Sequence, residues 1–137
     1  FNIIDEHDLI TGKMKCPKEL NQHRLKYSCD IGLSTVMGKR SLFRKYKFPI
    51  IKTKEDYALW LRLVKSNVLL KGLNKTLTSW RNVKKSLSKS FIQKIKDAFK
   101  IYYVFEKRGL FFSIFSIFMM CFLFIKKRLF QFYQINI

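Results

Sequence analysis

The sequence predicts an α/β chain: a small mixed sheet, then a basic amphipathic helix, then an apolar helix that associates with a membrane. Three observations predict it. Short β-branched and alternating runs recur between turn residues over the first 81 residues. Lysines alternate with an apolar stripe between Ser88 and Glu106. An almost uninterrupted apolar run then covers Leu110 to Ile125. The divisions fall at 1–87, 88–108 and 109–137.

Composition narrows the classes. A chain of 137 residues suits one small domain. It begins at Phe1, inside a strand-like run, and reads as the C-terminal part of something longer. The net charge of +19 favours anionic partners: nucleic acid, anionic lipid, or sugar nucleotides and lipid phosphates. An aromatic share of 16% is too high for a disordered basic tail. Cys16, Cys29 and Cys121 are odd in number and form no C-x-x-C pair, which speaks against a disulfide framework or a zinc site.

Phe1–Ile4 reads as a strand, Asp5–Asp8 as a turn and Leu9–Gly12 as the return strand. The four polar turn residues are consecutive and cannot all point at one ion, so a solvated turn is the reading. Pro17 opens a polar helical stretch over Lys18–Tyr27, with His23 on its surface. Ser34-Thr35-Val36-Met37 reads as a strand with Val36 and Met37 in the core. Gly38 after it allows close backbone approach. Ser41 is a candidate N-cap for a short helix to Tyr46, which Phe48-Pro49 ends.

The centre of the chain is Thr53-Lys54-Glu55-Asp56-Tyr57-Ala58-Leu59-Trp60-Leu61-Arg62. Thr53 with Asp56 three residues on makes a capping box, and Leu59, Trp60, Leu63 and Val64 recur at helical spacing. Two adjacent acids in so basic a chain also make a candidate proton acceptor. Lys52 and Lys54 on either side would lower its pKa. The helix ends near Ser66-Asn67, a plausible left-handed cap. Val68–Leu70 and Leu77–Arg81 follow as strands around the Gly72–Lys75 turn.

Ser88 is a candidate cap for a helix to Glu106 with Phe91, Ile95, Phe99 and Tyr102 on its apolar stripe. Such a helix lies on an anionic membrane or packs on its own domain. The run from Leu110 to Ile125 is short of the ~20 apolar residues that a span needs, and Lys107-Arg108 and Lys126-Lys127-Arg128 flank it. An interfacial helix or a shallow re-entrant hairpin fits better. The rest of the chain is too small to cover so many phenylalanines. Positive charge on both sides places it at the cytoplasmic face.

Taken in order, Ser34-Thr35-Val36-Met37, Glu55-Asp56-Tyr57-x-Leu59-Trp60-Leu61-Arg62, Trp80-Arg81 and Ser86-Leu87-Ser88 resemble the second half of bacterial family 2 glycosyltransferases. That GT-A family includes enzymes of teichuronic acid and capsular polysaccharide synthesis. The resemblance covers about Phe1 to Ser88. It implies the acceptor-side part of a GT-A fold, with the nucleotide-binding half upstream. It also implies an inverting transfer from a nucleotide-sugar donor to a lipid-linked saccharide acceptor. Asp56 is then the catalytic base, with Glu55 placing the acceptor. Ser34 and Thr35 border the acceptor pocket, and Arg81, with Trp80 in place of the family's tyrosine, contacts the diphosphate. A divalent cation, Mg or Mn, is implied as well, but its D-x-D ligands are not in this chain, and Val83 stands where many relatives have a histidine. On this reading the chain alone is inactive. The competing reading is a non-catalytic basic protein that binds a membrane surface or nucleic acid, although no specific nucleic-acid motif is present.

Overall fold

The structure, a computed structural model, describes residues 1–83 and 90–135, and side chains as far as Lys126. The chain opens as a hairpin. Strands β1 (Asn2–Ile4) and β2 (Ile10–Lys13) pair antiparallel, with a bulge between Ile3 and Ile4. The Asp5 carboxylate closes the turn by accepting from the His7 and Leu9 amides at 2.8 and 3.0 Å. A short β3 (Glu19–Leu20) and the one-turn helix α1 (Gln22–Leu25) follow.

The expected helix over 18–27 is therefore mostly absent. Glu19 and Leu20 instead pair antiparallel with a later strand, and Asn21 starts the helix late by accepting from the Arg24 amide at 2.9 Å. The strand expected at Ser34–Met37 is also absent. Leu33–Thr35 forms a 3-10 turn, closed by the Thr35 hydroxyl donating to the Gly32 carbonyl at 2.7 Å. Met37 is 98% exposed, so it is no core residue. Gly38 does permit close packing: a Cβ there would lie 2.8 Å from the Phe43 ring.

Helix α2 (Arg40–Lys45) precedes the central helix α3 (Glu55–Lys65). Ser41 lies inside α2, whose N-cap position is Lys39. Tyr57, Ala58, Leu59, Trp60, Leu61, Leu63 and Val64 of α3 are all buried. A helix apolar on nearly every side must be enclosed. Leu20 and Leu25 cover one side, and Ile101 and Tyr102 another. Burying each large side chain contributes about 1.5–3 kcal/mol. The indole Nε1 of Trp60 is buried with no hydrogen-bond partner among the described residues, so shape rather than polarity holds that ring. Asn67 takes the left-handed conformation (φ 58°) after α3. Its amide donates to Val64 O and that of Val68 to Leu63 O, the paired bonds of a Schellman ending.

Strand β4 (Leu70–Lys71) is the partner of β3. Gly72 lies against the Pro17 carbonyl and the Cys16 sulfur, where a Cβ would overlap both. Strand β5 (Ser79–Arg81) pairs parallel with β1, giving a mixed sheet of order β2-β1-β5.

Helix α4 (Phe91–Lys100) starts at Ser90, whose hydroxyl accepts from the Gln93 amide at 3.3 Å. The expected cap Ser88 and the Ser86-Leu87-Ser88 motif lie outside the described residues. A π-helical turn (Ile101–Phe105) joins α4 to α5 (Leu110–Ile135). Glu106 fastens this joint, 3.5 Å from Lys65 and 4.0 Å from Arg108. Helix α5 is inverted relative to an ordinary surface helix. Ser113 and Ser116 are buried, while Phe111, Phe112, Phe115, Phe118, Phe122 and Phe124 are exposed. Its serine hydroxyls fold back on Arg108, Gly109 and Phe112 carbonyls. Among the described residues no helix is long and apolar enough to cross a membrane.

Replacing Trp60 with alanine should cost about 3–5 kcal/mol and shift a denaturant midpoint accordingly, because the vacated space lies at the centre of α3's packing. Unchanged stability would place Trp60 outside the core.

Candidate functional site

The start of α3 is built without a cap of its own. Lys54 occupies the N-cap position in the left-handed conformation (φ 62°) and makes no capping hydrogen bond. A bulky residue held there needs support from its surroundings. Two long-range ties supply it. The Thr53 amide and hydroxyl both donate to Asp97 Oδ2 of α4, at 2.8 and 2.7 Å. The Lys54 ammonium donates to Met120 Sδ of α5 at 3.6 Å and lies 5.6 Å from the centre of the Tyr57 ring.

The capping box is thus replaced. Thr53 turns to a carboxylate 44 positions away in sequence and does not cap the helix. A charge-assisted pair of bonds outcompetes a local neutral one. Asp56, freed of a reciprocal capping role, accepts from the Tyr57 amide at 2.7 Å.

Tyr57 anchors the same turn from below. Its hydroxyl reaches the Leu25 and Lys26 carbonyls at 2.7 and 2.9 Å and the Tyr102 hydroxyl at 2.9 Å. Tyr102 donates to the Lys26 carbonyl at 2.8 Å. Burial pushes both phenols up, Tyr102 to about 12, so both stay neutral donors. Helices α1, α3 and the π turn meet at this pair.

The electrostatics of the first turn differ from expectation. Burial is the largest influence on Asp56 and raises its pKa above 3.8. The Tyr57 amide opposes this, Glu55 adds to it, and Lys54 opposes it. Lysine neighbours were expected to lower the value, but Lys54 is itself poorly hydrated. Burial lowers its own pKa most, and Lys94 adds to that against the opposing charges of Cys29, Asp56 and Cys121. A carboxylate with a raised pKa beside a weakened cation is suited to accepting a proton.

The other expected site residues lie apart from this turn. Ser34 and Thr35 are exposed on the 3-10 turn. Trp80 is 44% exposed on β5. Arg81 is occupied by the hairpin turn: it pairs with Asp8 at 2.6 Å and donates to the Asp5 and Glu6 carbonyls at 3.2 and 3.3 Å. Arg62 reaches the Lys47 carbonyl at 3.5 Å. Among the described residues no hydrogen bond or ion pair links these places to Asp56. Asp97, Tyr57 and Lys54 carry the site's geometry, and residue type alone did not mark them. The signal was indirect: Asp97 is the one acid between Ser88 and Tyr103.

Among the described residues no group of three or more His, Cys, Asp or Glu is placed to hold a metal ion. Glu55 and Asp56 alone do not make a cation site.

Comparison with known proteins finds relatives in sequence. The chain is similar to bacterial glycosyltransferases. It is 36% identical over 67 residues to the Escherichia coli UDP-Glc:alpha-D-GlcNAc-diphosphoundecaprenol beta-1,3-glucosyltransferase WfgD, covering 49% of this chain and 26% of that one. The Escherichia coli enzyme of the same description, WfaP, is 35% identical over 78 residues, or 57% and 31% of the two chains. The putative teichuronic acid biosynthesis glycosyltransferase TuaG of Bacillus subtilis is 35% identical over 77 residues, or 56% and 29%. The chain therefore spans about a quarter to a third of the length of these relatives. No family model matches it, and no solved structure matches it.

The two aspartates titrate with opposite consequences. For Asp97, burial pushes the carboxyl up, but bonds from Thr53 and Gln93 and the charge of Lys100 outweigh it and hold it below 3.8. Its stabilisation is present above the unfolded value and is lost as pH falls below about 4 toward the folded value. For Asp56 the folded value is raised, so stability falls as pH rises from about 4 through that value. Carboxyl-selective NMR titration should find Asp56 above 3.8 and Asp97 below it. Lys54→Met should raise Asp56 further by removing a favourable charge. The reverse order of the two aspartates would refute this electrostatic account.

Proposed function

We propose that this chain is the acceptor-side part of an inverting family 2 glycosyltransferase of the GT-A type, acting in cell-surface polysaccharide synthesis. The single observation that carries the reading is Asp56. It stands at the start of an enclosed helix, within the Glu55-Asp56-Tyr57 string, with its pKa raised by burial. In this role Asp56 takes the proton of the acceptor hydroxyl as that oxygen attacks the anomeric carbon. The carbon–oxygen bond to the nucleoside diphosphate breaks, and the configuration inverts in one displacement. Glu55 keeps the neighbouring potential negative and orients the hydroxyl. The relatives named for UDP-Glc and GlcNAc-diphosphoundecaprenol support a nucleotide-sugar donor and a lipid-linked acceptor for this protein too. The divalent cation implied by the resemblance needs ligands beyond these residues, and no step here is routed through it.

The apolar face of α5 supports a second part of the reading: attachment to the anionic, cytoplasmic surface of the cell membrane. A helix that buries serines and exposes phenylalanines, in a chain of net charge +19, matches the layered polarity of a bilayer interface. The same feature underlies the competing reading of a non-catalytic membrane-surface protein. Activity separates the two.

Asp56→Asn in the complete enzyme should lower sugar transfer by about 10²–10⁴-fold, the usual worth of a general base, with folding unchanged. Near-normal transfer would remove Asp56 from that role. In vesicle sedimentation, replacing Phe111, Phe115 and Phe118 with serine should weaken binding to phosphatidylglycerol vesicles at constant salt. Undiminished binding would exclude this face as the membrane contact.

A further inference from the structure

The groove between α4 and α5 is the second feature of the molecule with a chemical address. Ile95, Lys96 and Phe99 form one wall, and Ile114, Phe118 and Cys121 form the other. Its volume is about 670 Å³, inside the ~300–1,000 Å³ range of small-ligand clefts. All of these lining groups are apolar or nearly so, except Lys96.

We propose that this groove seats the first isoprene units of a polyprenyl-diphosphate acceptor. The inference rests on the lipid-linked acceptor class proposed above and assigns that acceptor a binding place. Three observations carry it. The groove opens beside the exposed phenylalanines of α5, where a lipid chain can enter from a bilayer. A flat bilayer surface has no use for a cleft, whereas one branched hydrocarbon chain does. The cation on its wall, Lys96, complements a diphosphate.

The third observation is the position of the walls. Lys96 immediately precedes Asp97, which holds Thr53. Cys121 immediately follows Met120, which receives the Lys54 ammonium. Thr53 and Lys54 immediately precede Glu55 and Asp56. The two helices that form the groove are therefore the two that hold the start of α3.

The test uses the complete protein in neutral phosphatidylcholine nanodiscs and a benzophenone-tagged polyprenyl diphosphate. Photolysis should place adducts on Phe99, Ile114, Phe118 or Cys121. Untagged polyprenyl diphosphate should compete, and phosphatidylglycerol at the same concentration should not. Cys121→Trp and Ile114→Trp, which fill the groove, should each weaken probe binding by about tenfold or more while vesicle binding is kept. Adducts outside α4 and α5, equal competition by phosphatidylglycerol, or unchanged affinity in both folded variants would overturn the proposal. So would a dimer seated through the groove and broken by the same variants. Should the variants not fold, the adduct map on the unaltered protein decides. Adducts in the groove without any sugar transfer would leave the groove standing and remove the transferase reading. Equal transfer to long- and short-chain acceptors, unaffected by either variant, would do the opposite.

Discussion

Two ties across long stretches of sequence hold the start of the central helix, and the candidate site depends on them. Asp97 binds both polar atoms of Thr53, and Met120 receives the ammonium of Lys54. Between them they keep Lys54 in a left-handed conformation that its own sequence does not favour. The first turn of α3 then begins without a local cap. Its two acids remain free of reciprocal capping, and Asp56 is left partly buried. Losing the Asp97 bonds to Thr53 would let the first turn fray and rehydrate the carboxylate.

The same ties join the site to the tail of the chain. Helix α4 supplies one and α5 the other, so the helix with the most exposed phenylalanines also helps position the candidate base. The π turn between them fits this role. It delivers Ile101 and Tyr102 into the core and lets the Glu106 carboxylate lie between Lys65 and Arg108. The exposed face of α5 and the ordered first turn of α3 are, on this architecture, parts of one packing unit.

Much of this was legible along the sequence because it is local. The Asp5–Asp8 turn, the β1–β2 hairpin, the enclosed α3 and the left-handed Asn67 all follow from turn chemistry and periodicity. What misled was competition from distant partners. Glu19 and Leu20 pair with β4, and β5 comes in parallel to β1. Thr53 and Asp56 have capping-box spacing, yet a carboxylate on another helix takes Thr53. The expected pKa shift of Asp56 had the wrong sign for a related reason. Sequence shows which charges are neighbours but not how much water reaches them, and burial is the larger influence here. Arg81, the expected diphosphate contact, pairs with Asp8, a partner that its sequence position 73 residues away does not reveal.

The most direct test of the account is the pH dependence of sugar transfer by the complete protein, assayed with the UDP-glucose and GlcNAc-diphospho-lipid for which its Escherichia coli relatives are named. If Asp56 is the base, kcat/KM falls on the acid side with an apparent pKa above 3.8 that matches the Asp56 titration by NMR. Lys54→Met moves that limb to higher pH. An acid limb that ignores Lys54→Met, or that differs from the Asp56 titration, would contradict the assignment and give the proton to another group.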